Sequence, residues 1–283
     1  MQIQWYPGHM MKTRREVVAS LHLVDLIIEI VDARIPRSSR NPDIDAMVGD
    51  KPRLVILNRR DLADAAATKR WRAALEQKGY AVLETDSKSG AGVSELRQAC
   101  KTLLAPLLAR RAEKGQAGRG IKAMVLGIPN VGKSTFINKV SGRKAARAEN
   151  RPGVTRGRQW IQCGDGLELL DTPGMLWPRF DDETTGMHLA FTGAVKDAIL
   201  DIEGLGLALS ALLASRYRSN LEARYKITLS GEMEPLAIYE EIAKSRGFLF
   251  RGGDFDYTRC ATNLLEEYRN GKLGRITLEE PAE

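Results

Sequence analysis

Cysteine is scarce in this chain: 283 residues carry three, Cys100, Cys163 and Cys260, far apart and without a C-x-x-C pair. That pattern speaks against a disulfide framework and a cysteine-rich zinc site, and it suits a reducing, cytoplasmic setting. Long apolar runs are missing too. No stretch approaches the length of about 18 consecutive apolar residues that a membrane-spanning helix needs, so no span is expected. The N-terminus, MQIQWYPGHMMKTRREVV, shows no apolar core followed by a small-residue cleavage site, so no secretory signal is read there. It is Arg-bearing and acid-poor, which keeps an organelle-transit reading in view, but the aromatic Pro-Gly-His stretch reads as folded sequence. Of the three histidines, His22 and His188 have no ligand cluster around them, and ordinary structural roles are expected of both.

What is present is ordinary globular sequence, 43% hydrophobic, with length for one large α/β domain and a smaller one. A net charge of +7 permits nucleic-acid binding without establishing it. Three β-rich apolar runs, VDLIIEIV (24–31), RLVILN (53–58) and YAVLET (80–85), alternate with helix-patterned segments at about Asp64 to Lys78 and Val93 to Leu108. This alternation predicts a parallel sheet covered by helices. Residues 109–120, ARRAEKGQAGRG, break the pattern and read as an exposed connector. A further strand at 121–127 leads into a helix from about Lys133 to Val140, and short strands RQWIQC and LELLD follow. After about residue 205 the pattern turns amphipathic and helical, in GLALSALLASRY, PLAIYEEIAKSRG and TRCATNLLEEYRNGK.

Gly127-x4-Gly132-Lys133-Ser134 has the strand, loop and helix context of a phosphate-binding loop. In such a loop the backbone N–H groups of Asn130, Val131 and Gly132 can curl around phosphate oxygens, and Lys133 reaches the β and γ phosphates. Ser134, followed by Thr135 in the helix N-terminus, can ligate Mg²⁺. Asp171-Thr-Pro-Gly174 ends an apolar strand 37 residues after Ser134. There a carboxylate can hold the Mg²⁺ shell and a glycine N–H can sense the γ phosphate. Thr155, between them in RPGVT, fits a switch threonine that reaches Mg²⁺ and γ phosphate when its loop closes.

These elements resemble translation-factor-class GTPases, in which a guanine reader, N-K-x-D, and an S-A-K-like loop follow D-x-x-G. Nothing after Gly174 fits. Upstream, Asn58-Arg59-Arg60-Asp61 follows one strand and Ser87-Lys88-Ser89-Gly90 follows another. The order is that of a circularly permuted GTPase, with the 109–120 connector joining the old termini. Asp61 can accept two hydrogen bonds from N1–H and the exocyclic amine of guanine, where adenine offers no donor at N1. Asn58 would tie this loop to the phosphate loop. Arg59 replaces the usual lysine and can stack by its planar face along the base. WYPGHM (5–10), DARIPRSSRNP (32–42) and GKLGRITLEEP (271–281) together resemble ribosome biogenesis GTPase A, the YlqF-type family.

The expected fold is therefore an α/β P-loop GTPase with a circularly permuted doubly wound sheet, plus a small all-α C-terminal domain. The boundaries read as 1–180 for the GTPase domain, 181–204 for a linker and 205–283 for a helical RNA- or ribosome-contacting domain. The family resemblance implies a GTP hydrolase, slow alone and stimulated by the maturing large (50S) ribosomal subunit, using hydrolysis for a late assembly step and its own release. A monomer when free is expected. The alternative is a signalling or transport switch acting on protein effectors.

Met175 stands where many GTPases carry a water-positioning glutamine, and a thioether cannot do that work. The resemblance nominates His9 instead, an imidazole suited to hold water near neutral pH; capping or packing the first helix is the lesser reading. Asn130 is a second candidate, since GTPases with PNVGKS often use this asparagine to hold K⁺ against developing phosphate charge; a plain turn role is the other reading. The stretch 143–158 carries six positive residues against one glutamate and coincides with the switch region. With Lys12-Thr-Arg14-Arg15, Arg34 to Arg40 and Arg110-Arg111, it favours an rRNA partner. Phe250, Phe255 and Tyr257, beside Arg251 and Arg259, are expected to staple a helix core rather than stack on bases.

Overall fold

Runs rich in β-branched and aliphatic residues become one six-stranded sheet in the computed structural model, which describes residues 8–142, 159–180, 182–231 and 233–282. The strands are β1 (Leu26–Asp32), β2 (Arg53–Asn58), β3 (Ala81–Thr85), β4 (Ile121–Leu126), β5 (Gln159–Gln162) and β6 (Leu167–Asp171), in the order β3-β2-β1-β4-β6-β5. Every pairing is parallel except that of β5 with β6 at the edge. All of β1 and β2 is buried, which is why these central strands read as continuous apolar runs rather than alternating ones.

The helices around the sheet are α1 (Gly8–Ser20), α2 (Asp43–Val48), α3 (Ala65–Gln77), α4 (Leu96–Leu103), α5 (Ala105–Glu113) and α6 (Lys133–Ser141). On one sheet face Val17, Ile27, Ile44, Val48, Met124, Leu126 and Leu170 form a core with α1 and α2, and Val31, Val55, Leu57 and Val82 form another with Trp71 and Leu75 of α3. A buried leucine cut to alanine in such cores costs about 2–5 kcal/mol. α4 and α6 touch β2, β3, β5 and β6. α5 runs on to Glu113, so the expected connector begins as helix and only its glycine-bearing second half is irregular.

The chain order explains where a ligand must sit. From β1 it runs outward through β2 to β3, then returns to β4 beside β1 and proceeds to β6 and β5. The crevice of an open α/β sheet lies outside the carboxyl ends of the strands at such a reversal. Asp32 and Asn58 are register partners at these ends, as are Asn58 and Thr85 and, across the sheet, Val125 and Asp171.

The chain divides into two compact units, with Asp182–Ile276 as one and the sheet with Thr277 onward as the other. The helical unit holds α7 (Glu183–Phe191), α8 (Ile202–Arg216), α9 (Arg218–Tyr225), α10 (Pro235–Ser245) and α11 (Tyr257–Arg269). The span 181–204, read from sequence as a linker, carries α7: Asp182 accepts from Thr185 N at 2.6 Å at its start, and Arg269 donates to the carbonyls of Ala190 and Phe191 at its end. Central α8 packs on α7, α9, α10 and α11, and a Cβ at Gly206 would come within 2.7 Å of Ala261 Cβ and Tyr239 Oη.

Residues beyond Ile276 return to the sheet unit. Thr277 Oγ1 accepts from Asp64 N at 3.1 Å and donates to Ala33 O at 3.2 Å, while Leu278 N donates to Arg34 O at 2.8 Å. Trp71 Nε1 holds Glu279 O at 3.0 Å.

Candidate functional site

The loop after β4 is shaped by glycines. Gly132, at φ 100°, leads into α6, and a Cβ there would lie 2.5 Å from Asn58 Nδ2. Lys133 begins α6 and folds back, donating from Nζ to Gly127 O at 3.0 Å and Ile128 O at 2.7 Å. Burial pushes this ammonium down to about 8, against the pull of Asp171. The same burial pushes the Asp171 carboxyl up to about 6, against Lys133. Asp171 Oδ1 is buried with no hydrogen-bond partner among the described residues. Gly174 brings the D-x-x-G turn onto the loop: a Cβ there would meet Pro129 Cα and N at 2.7 Å and Lys133 Nζ at 3.0 Å. Among the described residues the arrangement pairs an ammonium whose hydrogen bonds go to carbonyls with a carboxylate oxygen that lacks a partner, and both invite an external polyanion with its cation.

The side of the candidate guanine reader is cross-linked by side chains. Asn58 is buried; its Nδ2 donates to Val131 O at 2.8 Å, and its Oδ1 accepts from Thr85 Oγ1 at 3.1 Å, Ser87 N at 3.2 Å and Ser87 Oγ at 2.6 Å. One amide thus joins the ends of β2 and β3 to the phosphate loop. Asp61 is half-buried, and its carboxyl is raised by that burial and then by Asp86. Lys88 is exposed, its N–H donating to Asp86 Oδ1 at 2.8 Å. Arg59, at φ 62°, donates to Asn130 O at 2.5 Å and lies 3.8 Å from Asp32 Oδ2. Its guanidinium is engaged with the phosphate loop and with Asp32, the first residue of the DARIPRSSRNP stretch, to which the sequence alone gives no part in the site.

Asn130 takes a left-handed φ of 58°, Val131 is buried, and Ser134 and Thr135 occupy the first turn of α6. Met175 is buried in the core beside α1, its N–H donating to Gly127 O at 3.2 Å and its carbonyl accepting from Asn41 Nδ2 at 3.2 Å. Thr155 and the basic stretch 143–158 lie outside the described residues, as does the side chain of His9, whose backbone falls in the first turn of α1.

The basic segments read as RNA-facing separate into two kinds. Lys12, Arg14 and Arg15 are exposed on α1. Arg34 instead is buried on Asp32, Arg40 pairs with Glu29 and stacks 4.6 Å over Tyr80, and Arg111 is buried on Asp25. Those three satisfy carboxylates on or beside β1 and are not free surface charge. Among the aromatics, Tyr257 stacks on Tyr239 at 5.7 Å, whereas Phe250 is 60% exposed.

A family model described as a 50S ribosome-binding GTPase matches residues 122–217. Ribosome biogenesis GTPase A of Bacillus cereus is 44% identical over all of this chain and 95% of its own. The chain belongs to the ribosome biogenesis GTPase A family. A mitochondrial ribosome-associated GTPase 1 of mouse is 33% identical over 98% of this chain and 90% of its own. A solved GNP-bound YlqF from T. maritima superposes with a TM-score of 0.65 at 25% identity, covering 96% of this chain and 99% of that one. As a GTPase of this family, the chain carries its phosphate loop after β4 rather than near the N-terminus, the permuted order of ribosome biogenesis GTPase A. No helix among the described residues is long and apolar enough to cross a membrane.

Proposed function

We propose that this chain binds the maturing large (50S) ribosomal subunit and couples GTP hydrolysis to a late assembly step and its own release. The observation that carries the reading is the single buried amide of Asn58, which ties the candidate guanine-reading strand ends to the phosphate loop at 2.8 Å. Base recognition and phosphate binding are thereby one rigid site, as a guanine-nucleotide enzyme of this family requires.

Asp61 accepts from the guanine edge, Ser87 and Lys88 line the base, and Lys133 with the N–H groups of Asn130, Val131 and Gly132 holds the phosphates. Asp171 Oδ1, without a hydrogen-bond partner among the described residues, fits a Mg²⁺ shell, which Ser134, Thr155 and Asp171 would hold. When bound, Mg²⁺ neutralises charge on the phosphate oxygens. Asn130 is the candidate K⁺ ligand. With Met175 turned into the core, the attacking water needs another partner, and His9 takes that part when the subunit is engaged. Exposed Lys12, Arg14 and Arg15 and the 143–158 stretch supply charge for rRNA.

The test is GTP hydrolysis in KCl with and without purified large subunits, for the wild type and His9→Ala. Stimulation by subunits that His9→Ala abolishes, with subunit binding kept, is expected. Absence of stimulation would remove the ribosomal reading in favour of a protein-effector switch. Equal single-turnover rates in KCl and NaCl would remove K⁺.

A further inference from the structure

Asp32 ends β1 at the reversal of strand order, beside Asn58. It is buried, and its carboxylate accepts three hydrogen bonds from Arg34: from N at 3.0 Å, Nε at 2.9 Å and a terminal nitrogen at 2.8 Å. Its other neighbour is Arg59, whose Nε lies 3.8 Å away and whose terminal nitrogen donates to Asn130 O. One buried carboxylate therefore orients the side chain that spans from the candidate guanine-reading loop to the phosphate loop. Burial acts to raise the Asp32 carboxyl, but Arg34 and Arg59 outweigh it and hold the group below its usual range.

What fixes Asp32 comes from the far end of the chain. Its N–H donates to Ser39 Oγ at 2.9 Å, and the intervening turn is clasped by Glu279. That carboxylate accepts from Arg37 N at 2.7 Å, from Ser38 N at 3.2 Å and from the Ser38 hydroxyl. Glu279 is itself buried. Thr277 and Leu278 pin Ala33 and Arg34 alongside, so the turn that presents Asp32 has a carboxylate on one side and backbone bonds on the other.

We propose that Asp32 and Glu279 are positioning residues for guanine-nucleotide binding. Asp32 holds Arg59 against the Asn130 carbonyl, and Glu279 on the returning C-terminal segment fixes the turn that presents Asp32. Affinity for GTP and GDP then depends on residues that follow the helical unit in the chain. The inference rests on the reading of residues 58–61 as the guanine-contacting loop.

Binding of fluorescent GTP and GDP to the full chain tests it, with Glu279→Ala, Arg59→Ala and their double variant. Glu279→Ala is expected to weaken both nucleotides alike, by about three- to tenfold. KM should rise by the same factor while kcat at saturating GTP stays put, and in the Arg59→Ala background the further loss should vanish. Asp32→Asn, which strips a buried guanidinium of its partner, should show the larger loss if it folds; Glu279→Gln, which keeps one acceptor, should restore part of the affinity. Unchanged affinity in Glu279→Ala, or the full additional loss on top of Arg59→Ala, overturns the inference. A merely structural part for Glu279 would lower thermal stability while the folded fraction kept its affinity. Asp61→Asn in the same assay separates the two levels: retained GTP preference there defeats the guanine-loop reading, whereas lost preference with an unaffected Glu279→Ala defeats the positioning inference alone.

Discussion

Two buried carboxylates sit in opposite circumstances. Asp171, at the end of β6, has an oxygen without a hydrogen-bond partner among the described residues and a carboxyl pushed up to about 6 by burial, against Lys133. Glu267, in α11, accepts from Arg224 Nε at 3.0 Å, Tyr225 Oη at 2.9 Å and Arg246 at 3.3 Å. Burial acts to raise the Glu267 carboxyl too, but the bonds from Arg224 and Tyr225 and the two guanidinium charges outweigh it, leaving it lowered. Nothing about burial alone separates them. The network around Glu267 is completed within the helical unit, whereas Asp171 in the sheet unit is left unfinished where the proposed ligand would bind. A site built to stabilise something that arrives later is less stable before it arrives.

Replacing each carboxylate by its amide should therefore move opposite quantities. On the proposed reading, Asp171→Asn removes the charge on which a bound cation's shell would depend. Hydrolysis at saturating GTP should fall by about 10²- to 10³-fold, while the unfolding midpoint stays level or rises, since a charge whose burial outweighs the pull of Lys133 is gone. A variant that lost stability and kept turnover would place Asp171 among the structural carboxylates.

Asp61 stands between the extremes, half-buried and raised by burial and by Asp86. If it awaits the two donors of guanine, Asp61→Asn should weaken GTP by about 10²-fold and favour xanthosine triphosphate, whose edge carries an acceptor in place of the amine. Competition between the two nucleotides for the full chain decides it; unchanged GTP preference would return Asp61 to the surface turn.

The sequence made the unfinished half of this contrast legible. Lys133, Asp171 and Gly174 lie in motifs whose spacing is covalent, each attached to a strand of β-branched residues, and the buried strands themselves announce a parallel sheet. The finished half was hidden because its partners are distant in the chain. Arg34, Arg40 and Arg111 read as surface charge, yet each meets a carboxylate on or beside β1 that only folding brings near. Glu267 looks like one more polar residue in LLEEYR, and its neighbours Arg224 and Arg246 belong to other segments. The return of Thr277 to Glu280 onto the sheet is invisible for the same reason, since no local pattern records that a tail finds its partners more than 200 residues upstream.

The smallest effect belongs to the finished network. Glu267→Gln should cost the helical unit about 2 kcal/mol, because Arg224 and Arg246 are each about one-third exposed and recover part of their solvation. Intrinsic GTP turnover should stay within about twofold. The acid response sharpens the point. Glu267 has its pKa lowered in the folded state from an ordinary value of 4.5, so its contribution is fully present above that value and is lost as pH falls through the lower folded one. No tryptophan lies within residues 182–276, and Trp71, Trp160 and Trp177 belong to the sheet unit. Tryptophan emission therefore follows the sheet unit, while amide exchange within α11 follows the helical one. Below about pH 4.5, α11 of the wild type should lose protection in step with Glu267 protonation, and Glu267→Gln should lack that limb of the profile. An identical acid profile in both proteins would mean that the network around Glu267 contributes no net stability, and that a complete set of hydrogen bonds is no measure of what a buried carboxylate does for its fold.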